Sequence, residues 1–125
     1  PLLQESLFRD AQRRHGRRQA SRWVAPPGHS EHQTGYAFDI GDVERPDADD
    51  EMAFENTPAF EWLNSHAGKF DFELSFPPGN DQGISYEPWH WRFTGTAAAR
   101  RIFHPMPLEA MMRNIRAIFC ALRYR

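Results

Sequence analysis

Apolar positions recur at three- and four-residue spacing near the start of the chain, where Leu3, Leu7, Phe8 and Ala11 alternate with arginines. That period predicts an amphipathic helix over Leu2–His15, ended by Gly16. A second helical turn is predicted over residues 19–24, before Pro26-Pro27-Gly28 forces an irregular path. From Tyr36 the period changes to two. Tyr36, Phe38 and Ile40 share one face and Ala37 and Asp39 the other, so a half-buried strand aims a carboxylate away from its large apolar side chains.

Thr57-Pro58 reads as a helix start, with threonine as cap and proline in the first helical position. Phe60, Leu63 and Ala67 then face the core, and Gly68 is expected to stop the helix. Phe70, Phe72, Leu74 and Phe76 alternate with Lys69, Asp71, Glu73 and Ser75, which predicts the clearest strand. A Pro/Gly-rich loop over residues 77–83 has a length suited to joining neighbouring antiparallel strands. The next strand, residues 89–94, sets Trp89, Trp91 and Phe93 against His90 and Arg92. A short helix over residues 96–103 precedes Pro105 and Pro107. Over residues 108–122 a stripe of Met111, Met112, Ile115, Ile118, Phe119 and Leu122 predicts an amphipathic helix packed on the domain. A partner-binding or membrane-surface helix is the alternative for that stripe. The sum is an α+β fold, with helices packed against a small antiparallel sheet.

At 125 residues and 40% apolar composition the chain has enough material for one domain with a real core. A formal net charge of −2 does not imply bulk attraction to nucleic acid. The basic run from Arg9 to Arg22 and the acidic stretch between Asp42 and Glu55 read as solvated faces. Residues 41–56 are accordingly expected to form an acidic surface loop, without the spacing of an EF-hand. Cys120 is the sole cysteine, which excludes an intrachain disulfide. No apolar run approaches the ~20 residues of a membrane span. The chain carries no signal peptide, opens on Pro1 and enters a helix at once, so its N-terminus is expected to be cut.

Two segments carry candidate chemistry: Ser30 to Asp39, and Glu87-Pro88-Trp89-His90-Trp91-Arg92. His15, His29, His66 and His104 read as surface or hydrogen-bonded histidines. His32 and Asp39 lie seven residues apart across a bend at Gly35, so both can reach one point, and His90 would join them from an adjacent strand. Two imidazole nitrogens and one carboxylate oxygen suit Zn²⁺ and leave a fourth place for water, whose pKa the metal lowers toward ~7. Glu87 would serve as general base and then acid. In an ideal strand Glu87 and His90 point to opposite faces. Pro88 cannot continue an interior ladder, so Glu87 is expected just before the regular strand, free to swing to the metal side. On the residues alone, a metal site and a set of ordinary hydrogen-bonded histidines both remain open.

S-E-H-Q-T-G-Y-A-F-D followed by E-P-W-H-W-R resembles the VanY-type D-alanyl-D-alanine carboxypeptidases, zinc peptidases that trim peptidoglycan stem peptides. The resemblance runs over roughly residues 4–95 and takes in Trp62-Leu63 and the aromatic strand before Ser75-Phe76-Pro77. It implies a Hedgehog/D,D-peptidase-like fold with zinc ligands His32, Asp39 and His90, and Glu87 as catalytic base. It also implies that Ser30 and Gln4 help bind the peptide, and that Trp89, Trp91 and Arg92 are scaffold. Residues 1–104 would form the zinc D,D-carboxypeptidase-like domain, lacking its N-terminal part, and residues 105–125 a C-terminal amphipathic helix. The implied partner is a peptidoglycan stem peptide, with no nucleic acid and no membrane span, and the implied location periplasmic, in the cell envelope or extracellular. Members of the family carry a Tyr-Arg-Ser segment ahead of the glutamine. Its charge-stabilising arginine is expected to be missing here, at a cost of ~10²–10³ in rate. An L,D-carboxypeptidase, a cell-wall endopeptidase and a non-catalytic zinc or peptidoglycan-binding domain are the alternatives, and E-P-W-H-W-R does not choose between D,D and L,D cleavage.

Overall fold

Helix α1 (Leu2–His15) has the predicted bounds, and Gly16, at φ +81°, closes it with its N–H on the Gln12 carbonyl at 3.0 Å. The computed structural model describes residues 2–107, so the helix predicted over residues 108–122 lies outside them. Within α1 Ala11 is buried and Gln4 and Phe8 are half-buried along one line, whereas Leu3 is 73% exposed and Leu7 is also on the open side. The helical period was right, but the side turned inward is narrower and more polar than the leucines suggest. A 3₁₀ turn, Ala20–Arg22, follows, shorter than the predicted turn.

Three short strands, β1 (Ala37–Asp39), β2 (Phe72–Leu74) and β3 (His90–Phe93), form an antiparallel sheet in the order β1-β3-β2. Its register sets Asp39 against His90, Ala37 against Arg92, and Arg92 against Glu73. Phe38, Trp91 and Leu74 form the next row, and Phe72 pairs with Phe93. Because side chains alternate along a strand, this register sorts the sheet into two faces. One carries Asp39, His90, Arg92 and Glu73. The other carries Phe38, Phe72, Leu74, Trp91 and Phe93. The strand containing Asp39 does send its carboxylate away from its aromatic, although Phe38 remains 47% exposed.

The strands are shorter than the alternation predicted. Phe70 belongs to a 3₁₀ turn, Ala67–Phe70, and stacks on Trp62 with ring centres 6.0 Å apart. Phe76 has left the sheet to pack on the His90 ring at 4.9 Å. Helix α2 (Pro58–His66) starts as predicted, with the Thr57 hydroxyl accepting from the Phe60 N–H at 3.2 Å. It is not stopped by Gly68. The chain tightens into the 3₁₀ turn and ends on Asp71, which takes the left-handed conformation at φ 61°. Phe54, Phe60 and Trp91 join this layer to the aromatic face through edge-on ring contacts at 6.1 and 6.4 Å.

Most acids of the acidic stretch are exposed, as expected, but Asp42 and Asp49 build a corner inside it. Asp42, only 7% exposed, accepts from the Glu44 and Ala59 N–H groups, and Asp49 accepts from the Asp42 N–H at 2.9 Å. These carboxylates satisfy backbone donors that the loop after β1 and the start of α2 would otherwise leave unpaired. Residues up to Gly95 form one compact unit, which holds the sheet, and a second begins at Thr96. There the Thr96 hydroxyl accepts from the Ala99 N–H and caps α3 (Ala97–Phe103).

Candidate metal centre

The first site segment is bent by a 3₁₀ turn, Glu31–Thr34, closed by Gly35 at φ 74°. A side chain at that φ is strained, so the glycine is what lets the chain reverse into β1. The reversal lays His32 over the strand. Its Nδ1 lies 3.1 Å from the Ala37 carbonyl and its Nε2 3.2 Å from Asp39 Oδ2. A carbonyl can only accept, so Nδ1 carries a proton, and Nε2 faces the carboxylate, donating to it when protonated and free to ligate a cation when not.

His90, on β3, has Nδ1 at 3.0 Å from Asp39 Oδ1 and Nε2 at 3.2 Å from Glu31 Oε2. Both of its nitrogens therefore face carboxylate oxygens, in a side chain that is almost fully buried. A neutral imidazole has one N–H to give, so a second proton or a cation must stand between at least one nitrogen and its carboxylate. The ligating atoms of His32, Asp39 and His90 all lie within 4.8 Å of one another. Ligands of a tetrahedral zinc lie about 3.4 Å apart, so a small contraction lets one ion touch all three. The donor set, two imidazoles and one carboxylate, fits that ion.

The electrostatics follow from this crowding. Burial works against a charged His90, but hydrogen bonds to Asp39 and Glu31 outweigh it and raise the pKa to about 9. The hydrogen bond to Asp39 also raises His32. Burial would raise Asp39, yet the two imidazoles hold its carboxyl well below the usual range. Glu31 is likewise low despite its burial, held there by His90, by the neighbouring Ser75 and by the charge on Arg92.

Glu87 is placed by a turn. The His90 N–H bonds back to the Glu87 carbonyl at 3.2 Å, and β3 starts only at His90. The carboxylate comes to the same side as His90, with Oε2 3.8 Å from Nδ1. Pro88 thus separates Glu87 from the ladder, as the sequence predicts. Burial, aided by the charges of Asp39 and Glu31, pushes the Glu87 carboxyl up to about 7. A carboxyl poised there can both take and return a proton near neutrality.

All four groups line one cavity of about 410 Å³, together with Gln4, Ser30, Phe76 and Trp89. Gln4 is not a solvated helix residue: its amide donates to the Ala25 carbonyl at 2.6 Å and fixes α1 to the chain entering the site. Ser30 precedes the turn that carries His32. Two residues near the centre had no role in the sequence reading. Glu31 sits inside the first motif, and a buried arginine on β3 needing carboxylate partners was the available signal for it. Asp50 has left-handed backbone at φ 57°, and burial with the charge of Asp39 raises its carboxyl. Its signal was hidden among the other acids of that stretch.

The model of the family described as VanY D-alanyl-D-alanine carboxypeptidase matches residues 2–96. A D-alanyl-D-alanine carboxypeptidase of Enterococcus faecalis is 38% identical over 88 residues, which are 69% of this chain and 30% of that protein. Among solved structures, the LdcB LD-carboxypeptidase aligns at a TM-score of 0.63 and 36% identity, covering 80% of this chain and 47% of that one. A vancomycin-resistance D,D-pentapeptidase VanY, solved with Zn(II), aligns at 0.56 and 29% identity, covering 82% and 58%. The chain spans less than two thirds of the length of each of these three proteins.

Proposed function

The chain belongs to the VanY D-alanyl-D-alanine carboxypeptidase family, and on that premise we propose that it carries the zinc centre of a metallopeptidase that removes the terminal D-alanine of peptidoglycan stem peptides. The observation that carries the reading is the arrangement of two imidazoles around Asp39, at 3.0 and 3.2 Å, with the remaining nitrogen of each ring already committed elsewhere. His32 Nε2, Asp39 and His90 Nδ1 are the zinc ligands in this reading. A bound zinc ion supplies Lewis acidity toward the scissile carbonyl and toward water.

Glu87 takes a proton from the attacking water and delivers it to the leaving amine, as the C–N bond breaks and a C–O bond forms. Its raised pKa suits both halves of that transfer. Phe76 and Trp89 line the same cavity and limit water around Glu87. Gln4 and Ser30, on the cavity wall, offer an amide and a hydroxyl to the peptide. The catalytic unit is taken as residues 1–104. The substrate implies work in the cell envelope, and no described helix is long and apolar enough to cross a membrane.

The L,D reading also has support, because the LdcB LD-carboxypeptidase shares 36% identity with this chain. Incubation of the zinc-loaded protein with muramyl pentapeptide and tetrapeptide, beside Glu87→Ala, tests both. D-alanine release from the pentapeptide is expected, and release only from the tetrapeptide selects L,D cleavage. Bound zinc with no release from either peptide, even when the family's Tyr-Arg-Ser segment is supplied ahead of the chain, refutes the enzymatic reading and leaves a binding domain.

A further inference from the structure

The polar face of the sheet holds a chain of charged contacts that runs away from the centre and that the proposed chemistry does not use. His90 Nε2 meets Glu31 Oε2 at 3.2 Å. The other oxygen of Glu31 accepts from Arg92 at 2.8 Å, and Arg92 Nε donates to Glu73 at 2.6 Å. His90, Arg92 and Glu73 lie on one face through the β1-β3-β2 register, while Glu31 comes down onto them from the 3₁₀ turn. The buried Ser75 hydroxyl lies beside Glu31 without completing a well-formed hydrogen bond.

We propose that Glu31 is a positioning residue for the metal centre, holding the His90 ring by its Nε2–H so that Nδ1 is presented to the ion. The inference rests on the reading that His90 is a zinc ligand. Glu31 lies across the ring from Asp39, so it is the outer partner of His90 rather than a fourth ligand. A carboxylate there fixes the tautomer, prevents the ring from turning over and makes the ligating nitrogen more basic.

The contrast with His32 sharpens the assignment. His32 is anchored through Nδ1 by the neutral Ala37 carbonyl and so offers Nε2, the opposite nitrogen. His90 is anchored by a charged group that is itself fixed by Arg92, which compensates the cost of burying a carboxylate. Glu31 also precedes His32 directly in the chain. One turn therefore carries one ligand and the support of another, and displacing it disturbs both.

The test is zinc affinity of the full chain, measured by competition with a chromogenic chelator, beside the absorption spectrum of the Co²⁺-substituted protein. Glu31→Ala is expected to weaken zinc about 10–100-fold and to shift the Co²⁺ bands. Glu31→Gln keeps an acceptor for Nε2–H but not the charge, so it recovers part of that loss. Glu73→Gln, which reaches Glu31 through Arg92, is expected to stay within about threefold of wild type, as an effect one contact further out. Unchanged zinc affinity and an unchanged Co²⁺ spectrum in Glu31→Ala overturn the inference, even if the metal-stripped variant melts earlier. Should Glu31→Ala fail to fold, Glu31→Gln decides: weaker zinc at an unchanged melting temperature supports the role, and wild-type affinity refutes it. A wild-type protein that holds no stoichiometric zinc overturns the ligand assignment, and this inference with it.

Discussion

Asp39 and His90 stand directly opposite each other in the β1–β3 register, and Asp39 Oδ1 lies 3.0 Å from His90 Nδ1. They are 51 residues apart in the chain, so the pairing of two short strands makes them neighbours. A slip of one residue would send one of them to the aromatic face and dismantle the centre. Site and fold therefore share one determinant.

Glu87 can be separated from the ligands by substitution. Glu87→Gln keeps the shape of the side chain and removes the base. Turnover is expected to fall by about 10²–10⁴-fold, the usual contribution of a positioned acid–base group. Zinc content should be unchanged, because Glu87 stands beside the proposed ligands rather than among them. Loss of zinc together with activity would instead make it a ligand.

The pH dependence of stability in chelator-treated protein follows from the same groups. His90, raised to about 9 from an ordinary value near 6.5, contributes fully below ~6.5, and the contribution is lost as pH rises through about 9. Glu87, raised to about 7, favours its protonated form in the fold and so adds a cost as pH rises from ~4.3 to 7. Asp39 is depressed, so its contribution is present above ~3.9 and is lost only as pH falls below that. The metal-stripped protein should be most stable at about pH 4 and should melt progressively earlier toward pH 9. Added zinc should raise the melting temperature more at pH 8 than at pH 6, because at the lower pH protons occupy His90. Thermal unfolding with and without zinc checks both signs, and a melting temperature that rises toward pH 9 without metal contradicts them.

Gly35 supports the turn that delivers His32. With φ at 74° and open space where a Cβ would stand, Gly35→Ala meets backbone strain and no steric clash. The cost should be about 1–2 kcal/mol in chemical unfolding. Zinc affinity should fall as well, since the strain is relieved by moving the turn. A variant as stable as wild type would mean that the turn tolerates an L-residue.

The parts legible in the sequence were those set by local rules. Leu2–His15, the Thr57-Pro58 helix start and the break before β3 follow from period, capping and proline chemistry, and all are in the structure. The spacing across Gly35 brought His32 and Asp39 together, and the family resemblance added His90 and Glu87, all four of which line one cavity. Strand lengths were not legible, because Phe70 and Phe76 alternate in phase with β2 yet are taken up by a turn and by the site. Asp42 and Asp49 read as solvated charges because their partners are backbone N–H groups, which leave no mark in composition. Glu31 stayed hidden because its contact with Arg92 spans 61 residues and exists only in this register.

The most direct test of the central claim is the zinc content of purified protein after removal of loose metal. The account predicts equimolar zinc in wild type and in Glu87→Gln. Asp39→Asn should weaken zinc by more than the about 10–100-fold of an outer-shell change, and His32→Ala with His90→Ala should leave none. Equimolar zinc surviving in that double variant would contradict it.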